Sequence, residues 1–226
     1  MNPDGPSHRL DPDRAAAEAA RRGGRPPEPV IDTRPYRRMI GAIGITIAIG
    51  ISAYLFITRG FGPIGVPPGQ RLHWFVAPLA TGGVDKDANL NPHCDPSHPN
   101  PQALNVCPWL ANRSPLVLAF FVSGSSDCVR QIDTVQAVSR QFRRAVRFAA
   151  VDVRANRRTT LGLVRTHRWS IPVAFDLDGA VGDIYGVEVC PLLELADRGG
   201  TVAYRLTGDG WLSTSALAAK VKALER

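Results

Sequence analysis

The chain has 226 residues, of which 44% are apolar and 21% charged, and carries a formal net charge of +7. That apolar share excludes a wholly disordered or collagen-like chain, and the length fits one domain plus extensions, or two small domains. The basic excess is nearly all arginine and scattered along the sequence, so it reads as composition bias. No nucleic-acid-binding motif accompanies it, and no nucleic-acid partner is expected.

Residues 1–38 are rich in Pro, Ala, Asp and Arg, with almost no bulky apolar side chains, and are expected to form a disordered cytoplasmic tail. Met39 to Thr58 is an uncharged run of 20 residues between Arg38 and Arg59. As a helix rising about 1.5 Å per residue it would reach roughly 30 Å, the thickness of a bilayer's hydrocarbon core. Six arginines lie in the 20 residues before the run and two in the 20 after it. By the positive-inside rule the tail is cytoplasmic and everything beyond the run is extracytoplasmic. The expected topology is a single-pass anchor in the cell membrane with residues 59–70 as a Gly/Pro linker. All four cysteines then sit in an oxidising compartment.

Residues 71–226 are expected to form the exported domain, with a Cys-containing insertion at about 91–110. Within it, Cys94 and Cys107 lie in a Pro/Asn-rich segment, and a disulfide between them is expected to hold a loop with no core of its own. His93 and His98 lack the paired short spacings of a zinc site with these cysteines, so no metal is expected. No cofactor is expected either. Pro115 to Val122 reads as a strand buried on both faces. A helix follows, with Cys128, Ile132, Val135, Val138 and Phe142 at helical spacing. Arg147 to Val153 and Ile171 to Phe175 read as further strands, with a helix near 157–168 between them. A hairpin is expected over Leu192–Ala196 and Thr201–Leu206, and a last helix from Ser213 to Leu224. The four tryptophans are expected in core or edge packing. Strands alternating with helices make the fold class α/β, layered around a mixed sheet.

Five pieces, in order, resemble the thioredoxin superfamily, in particular its membrane-anchored TlpA-like and AhpC/TSA-like branch. Gly69 to Phe75 resembles the opening G-x-x-x-P-x-F segment, without its proline. Leu118 to Val122 followed by Ser125-Ser126-Asp127-Cys128 resembles the strand and CxxC turn. Ile171-Pro172-Val173 with Asp176-Leu177-Asp178-Gly179 resembles the F-P-V…D-x-x-G segment. Tyr185-Gly186-Val187 to Pro191 resembles Y-G-V-x-x-x-P, and Asp197 to Gly208 the D-x-x-G…G hairpin. The resemblance implies a thioredoxin-like fold, a mixed central sheet flanked by helices, after the transmembrane helix. It also implies a cis Pro191 and a redox role for Cys128, with Cys190 brought beside it across the site.

The chemistry departs from the family at Ser125, which stands where the family has its attacking cysteine. A CxxC cycle within that turn is therefore impossible. A peroxiredoxin register, with Ser125 three residues before a single reactive Cys128, fits the spacing but puts Phe121 where a proline belongs. Two functions follow. One is thiol–disulfide or peroxide-linked redox chemistry through Cys128, with Cys190 as its partner and protein thiols or disulfides as substrates. The other is a degenerate thioredoxin fold that binds a partner protein and catalyses nothing.

Overall fold

The computed structural model describes residues 12–22, 34–58, 64–95, 97, 100–111 and 113–225. The chain divides into two units, residues 1–60 and 61–226. In the first, Pro12–Arg22 is helix α1, which corrects the expectation of a tail disordered throughout. Its alanines have high helix propensity, and Asp13 in the first turn complements the helix dipole. The remainder of the tail and residues 59–63 of the expected linker lie outside the described residues. Helix α2 covers Arg34–Thr58 and starts before the uncharged run. Pro35 is tolerated in its first turn, where the missing N–H would have had no helical partner. Among the described residues no helix is long and apolar enough to cross a membrane.

The second unit holds three elements not foreseen: β1 (Val76–Pro78) ahead of the insertion, and β2 (Ala103–Asn105) and α3 (Val106–Ala111) at its end. There follow β3 (Leu116–Phe121), α4 (Ser126–Phe142), β4 (Arg147–Val153), α5 (Arg157–His167) and β5 (Val173–Asp176). The chain ends with α6 (Ala180–Ile184), β6 (Leu192–Ala196), β7 (Val202–Thr207) and α7 (Thr214–Ala223). Five strands form one sheet in the order β5-β4-β3-β6-β7. The first three run parallel, as their helical crossovers require, and β6 and β7 join antiparallel.

Strand β3 is central and fully buried, which explains its unbroken apolar run. Its alternate side chains enter two cores. Val117, Ala119 and Phe121 meet α4 residues Ile132, Val135 and Val138 and α7 residues Leu217 and Val221. Leu116, Leu118 and Phe120 meet Phe75, Leu104, Val181 and Tyr185 on the other face.

Polar side chains fasten the elements where backbone pairing ends. Gln136 of α4 is buried, and its Oε1 accepts from the backbone N–H groups of Ser170 at 2.6 Å and Ile171 at 3.1 Å. Its Nε2 donates to Ser170 Oγ at 3.0 Å. Gln136→Ala would leave two backbone donors without an acceptor. The expected loss is about 2–4 kcal/mol of unfolding free energy by chemical denaturation.

The expected boundary at residue 71 is too late. Val66 and Leu72 are buried, and Gly69 N–H donates to Val202 O at 2.8 Å. Val66 N–H donates to Glu194 Oε1 at 2.7 Å, in the middle of β6. Gly65, at φ +71°, passes so close to Glu194 and Arg205 that a Cβ there would collide with both. Glycine is needed at this crossing, rather than for linker flexibility.

Candidate functional site at the Cys128–Cys190 disulfide

Strand β3 ends at Phe121, and the chain turns through Ser123-Gly124 into α4. Ser125 is the N-cap, extended at φ −116° and ψ 118°, and its side chain makes no capping hydrogen bond. Cys128 is thus the third residue of the helix. It is 2% exposed and lies on the inner face with Ile132 and Val135. Asp127 points outward and pairs with Arg130 one turn on.

Cys190 ends the loop that leaves α6. Its bond to Pro191 is cis, and Pro191 leads directly into β6. The structure brings Cys128 and Cys190 together as a disulfide, with Cα atoms 5.6 Å apart and a sequence separation of 62. That separation lies within the ordinary range for a bridge. The two ends differ in access: Cys190 is partly exposed, whereas Cys128 is buried. Apolar side chains adjoin both segments, with Val122 39% and Val189 38% exposed.

The loop before α4 is held by a residue that sequence reasoning missed. Asp152 of β4 is fully buried and accepts from Ser123 N–H at 2.9 Å and Thr160 Oγ at 2.8 Å. Burial pushes its carboxyl up to about 6, against the lowering effect of those two donors. The only sign in the sequence is a carboxylate inside the otherwise apolar RFAAVDV strand. Glu194 is the corresponding anomaly in β6. Burial raises it to about 8, opposed by Val66 N–H and by Arg205, and its second carboxyl oxygen has no hydrogen-bond partner.

Cys94 and Cys107 are bonded to each other, with Cα atoms 5.7 Å apart, so the insertion is not joined to the site through either cysteine. Closing a loop of this length contributes roughly 3 kcal/mol. His93 is exposed, and His98 lies outside the described residues. His73 packs edge-on against Tyr185, and His167 Nδ1 meets both Asp133 carboxylate oxygens at 3.0 and 3.1 Å. Trp169 is buried, as expected of a core residue, but Trp74 is 49% exposed.

No family model and no curated protein matches the sequence. Solved structures do match in shape. One is a thiol:disulfide interchange protein of the thioredoxin family from Chlorobium tepidum, 14% identical, with a TM-score of 0.55 over 71% of this chain and 99% of that one. Another is a secreted Mycobacterium tuberculosis disulfide oxidoreductase homologous to E. coli DsbE, 18% identical, with a TM-score of 0.52 over 66% and 95%. The peroxidoxin BcpB of M. tuberculosis is 16% identical, with a TM-score of 0.52 over 70% and 96%. The second unit accordingly has a thioredoxin-like fold.

Proposed function

We propose that the chain is a membrane-anchored thiol–disulfide oxidoreductase whose redox pair is Cys128 and Cys190, formed between the active-site helix and the cis-proline loop instead of within a CxxC turn. The observation that carries this reading is the bridge itself, at 5.6 Å between Cα atoms, in a fold whose structural neighbours include disulfide oxidoreductases. Its asymmetry suits exchange. A substrate thiolate reaches the partly exposed Cys190 sulfur, forms an S–S bond with it and breaks the bond to Cys128. The displaced electron pair leaves on Cys128 as a thiolate at the N-terminus of α4, where unpaired N–H groups and the helix dipole favour negative charge. A second substrate thiolate then attacks the substrate sulfur of the mixed disulfide and releases Cys190 as thiolate. The substrate dithiol is oxidised by two electrons and the protein pair is reduced. Run backward, the same steps reduce a substrate disulfide. Val122 and Val189 would face an apolar stretch of the substrate.

The test is exchange with a reduced, unfolded protein substrate, using the full chain in neutral detergent. Wild type should oxidise substrate thiols stoichiometrically and lose its own bridge, and Cys190→Ser should do neither. The second reading, a partner-binding module without catalysis, is favoured by Ser125 at the family's nucleophile position and by the burial of Cys128. Wild-type protein that exchanges no faster than Cys190→Ser would leave that reading in place.

The anchor is proposed on the uncharged run 39–58 and its arginine asymmetry. Large apolar residues stand exposed along α2, among them Ile40 at 67%, Ile45 at 63% and Ile49 at 63%. Exposed apolar surface of this kind calls for a non-aqueous surrounding. With native thiols blocked, a thiol introduced near the C-terminus should react with a membrane-impermeant label in intact cells. Labelling only after lysis would overturn the orientation.

A further inference from the structure

At the opposite end of α4 from Cys128, four arginines surround one hollow. Arg140 is in the last turn of the helix, Arg143 caps it, Arg144 follows, and Arg147 opens β4. Together with Trp109 and Ser170 they line a cavity of about 500 Å³, within the size range of small-molecule sites. The Arg147 guanidinium lies over the Trp109 ring, 5.4 Å from its centre, which fixes its plane. Its Nε is buried and has no hydrogen-bond partner. Among the described residues none of the four is in an ion pair, whereas Arg130 and Arg154 elsewhere each have an aspartate. Glu225 is the carboxylate nearby, in a smaller hollow of about 300 Å³ shared with Arg140, Arg143 and Arg144.

Helix electrostatics accounts for part of this. Cations at a C-terminus complement the dipole's negative end, which suits Arg140 and Arg143. It does not account for Arg147, which belongs to the next strand and is held in place by an aromatic ring from α3. Like charges gathered without a counter-ion repel one another, and an oxyanion removes that cost. Guanidinium groups bind phosphate oxygens in a bidentate way, and the donor set has a surplus of N–H groups and few acceptors.

We propose that this hollow is a binding site for a phosphate ester, whose phosphate group is held by Arg143, Arg144 and Arg147 and whose remainder lies against Trp109. The site is separate from the disulfide. Cys128 and Arg140 are on one helix and 12 residues apart, about 18 Å at the helical rise. The ligand is a free phosphorylated small molecule or a phospholipid headgroup, which share this chemistry.

The test is titration of the full chain, in neutral detergent, with glycerol phosphate, with inorganic pyrophosphate and with a short-chain phosphatidylglycerol, read by calorimetry and by tryptophan fluorescence. Saturable binding that weakens with added salt is expected for at least one of them. Preference for the soluble phosphates identifies a free metabolite, and preference for the lipid identifies a headgroup. Arg143 and Arg144 are exposed, so the double variant Arg143→Gln/Arg144→Gln should fold normally and bind at least about tenfold more weakly. Arg130→Gln, at the other end of α4, should bind like wild type. No saturable binding by any of the three probes, or equal binding by the double variant and wild type, overturns the proposal.

Discussion

Cys128→Ala is expected to abolish exchange and to destabilise the second unit by about 4 kcal/mol under non-reducing conditions, the loop-closure value for a bridge of this span. The bond joins two residues at a sequence separation of 62, at the start of α4 and just before β6. In the unfolded chain it removes many conformations, and in the folded one both anchor points are already set by the sheet. All four tryptophans lie in this unit, so their fluorescence during chemical denaturation reports it directly. Wild type held at a potential that opens only the Cys128–Cys190 bridge should fall to nearly the same stability as the variant, with Cys94–Cys107 intact in both. The variant also frees Cys190, the partly exposed partner, which should accumulate as a mixed disulfide with a small thiol. A variant as stable as oxidised wild type would show that the bridge does not form in solution.

The second large effect concerns Glu194. Its carboxyl is raised to about 8 by burial in β6, so the folded state holds a proton that the unfolded chain gives up at lower pH. A raised acid favours the folded state fully below its unfolded value, here the ordinary glutamate value of 4.5. The advantage is lost as pH rises through the folded value. Stability should therefore decline from about pH 5 to about pH 9, by on the order of 5 kcal/mol. Asp152, raised to about 6, contributes to the lower part of that window and leaves the part above it to Glu194. Glu194→Gln keeps an acceptor for Val66 N–H and cannot ionise. It should match wild type at acidic pH and exceed it above pH 8. Parallel curves for the two proteins would place the ionisation elsewhere.

The architecture was legible in the sequence wherever burial imposed a period. The run 115–122 is apolar because β3 is covered on both faces, and the stripe from Cys128 to Phe142 is spaced for one face of α4. The hairpin of β6 and β7 declared itself by its Asp-Arg-Gly-Gly turn. Three-residue strands such as β1 and β2 are too short to carry a period, and α6 has five residues, so no periodic pattern marks any of the three. The docking of residues 64–72 depends on Glu194, which is 128 positions from Val66, and no local pattern reports so distant a partner. The same is true of Gln136, 34 positions from Ser170. At the site, the Ser125–Cys128 departure was plain, but the nearness of Cys190 came from resemblance alone, because only the sheet brings the two segments to one edge. The arginines at 140–147 read as composition until the fold gathered them around Trp109.

In the proposed function the Cys128–Cys190 bridge is an exchangeable pair, while Cys94–Cys107 holds the insertion together. The direct measurement is a redox titration of the full native chain, with alkylation of each cysteine quantified by peptide mass spectrometry. Cys128 and Cys190 should become alkylated together, reversibly, at a potential where Cys94 and Cys107 remain protected. Release of all four cysteines in one step, or release of Cys128 and Cys190 only on unfolding, would contradict the account.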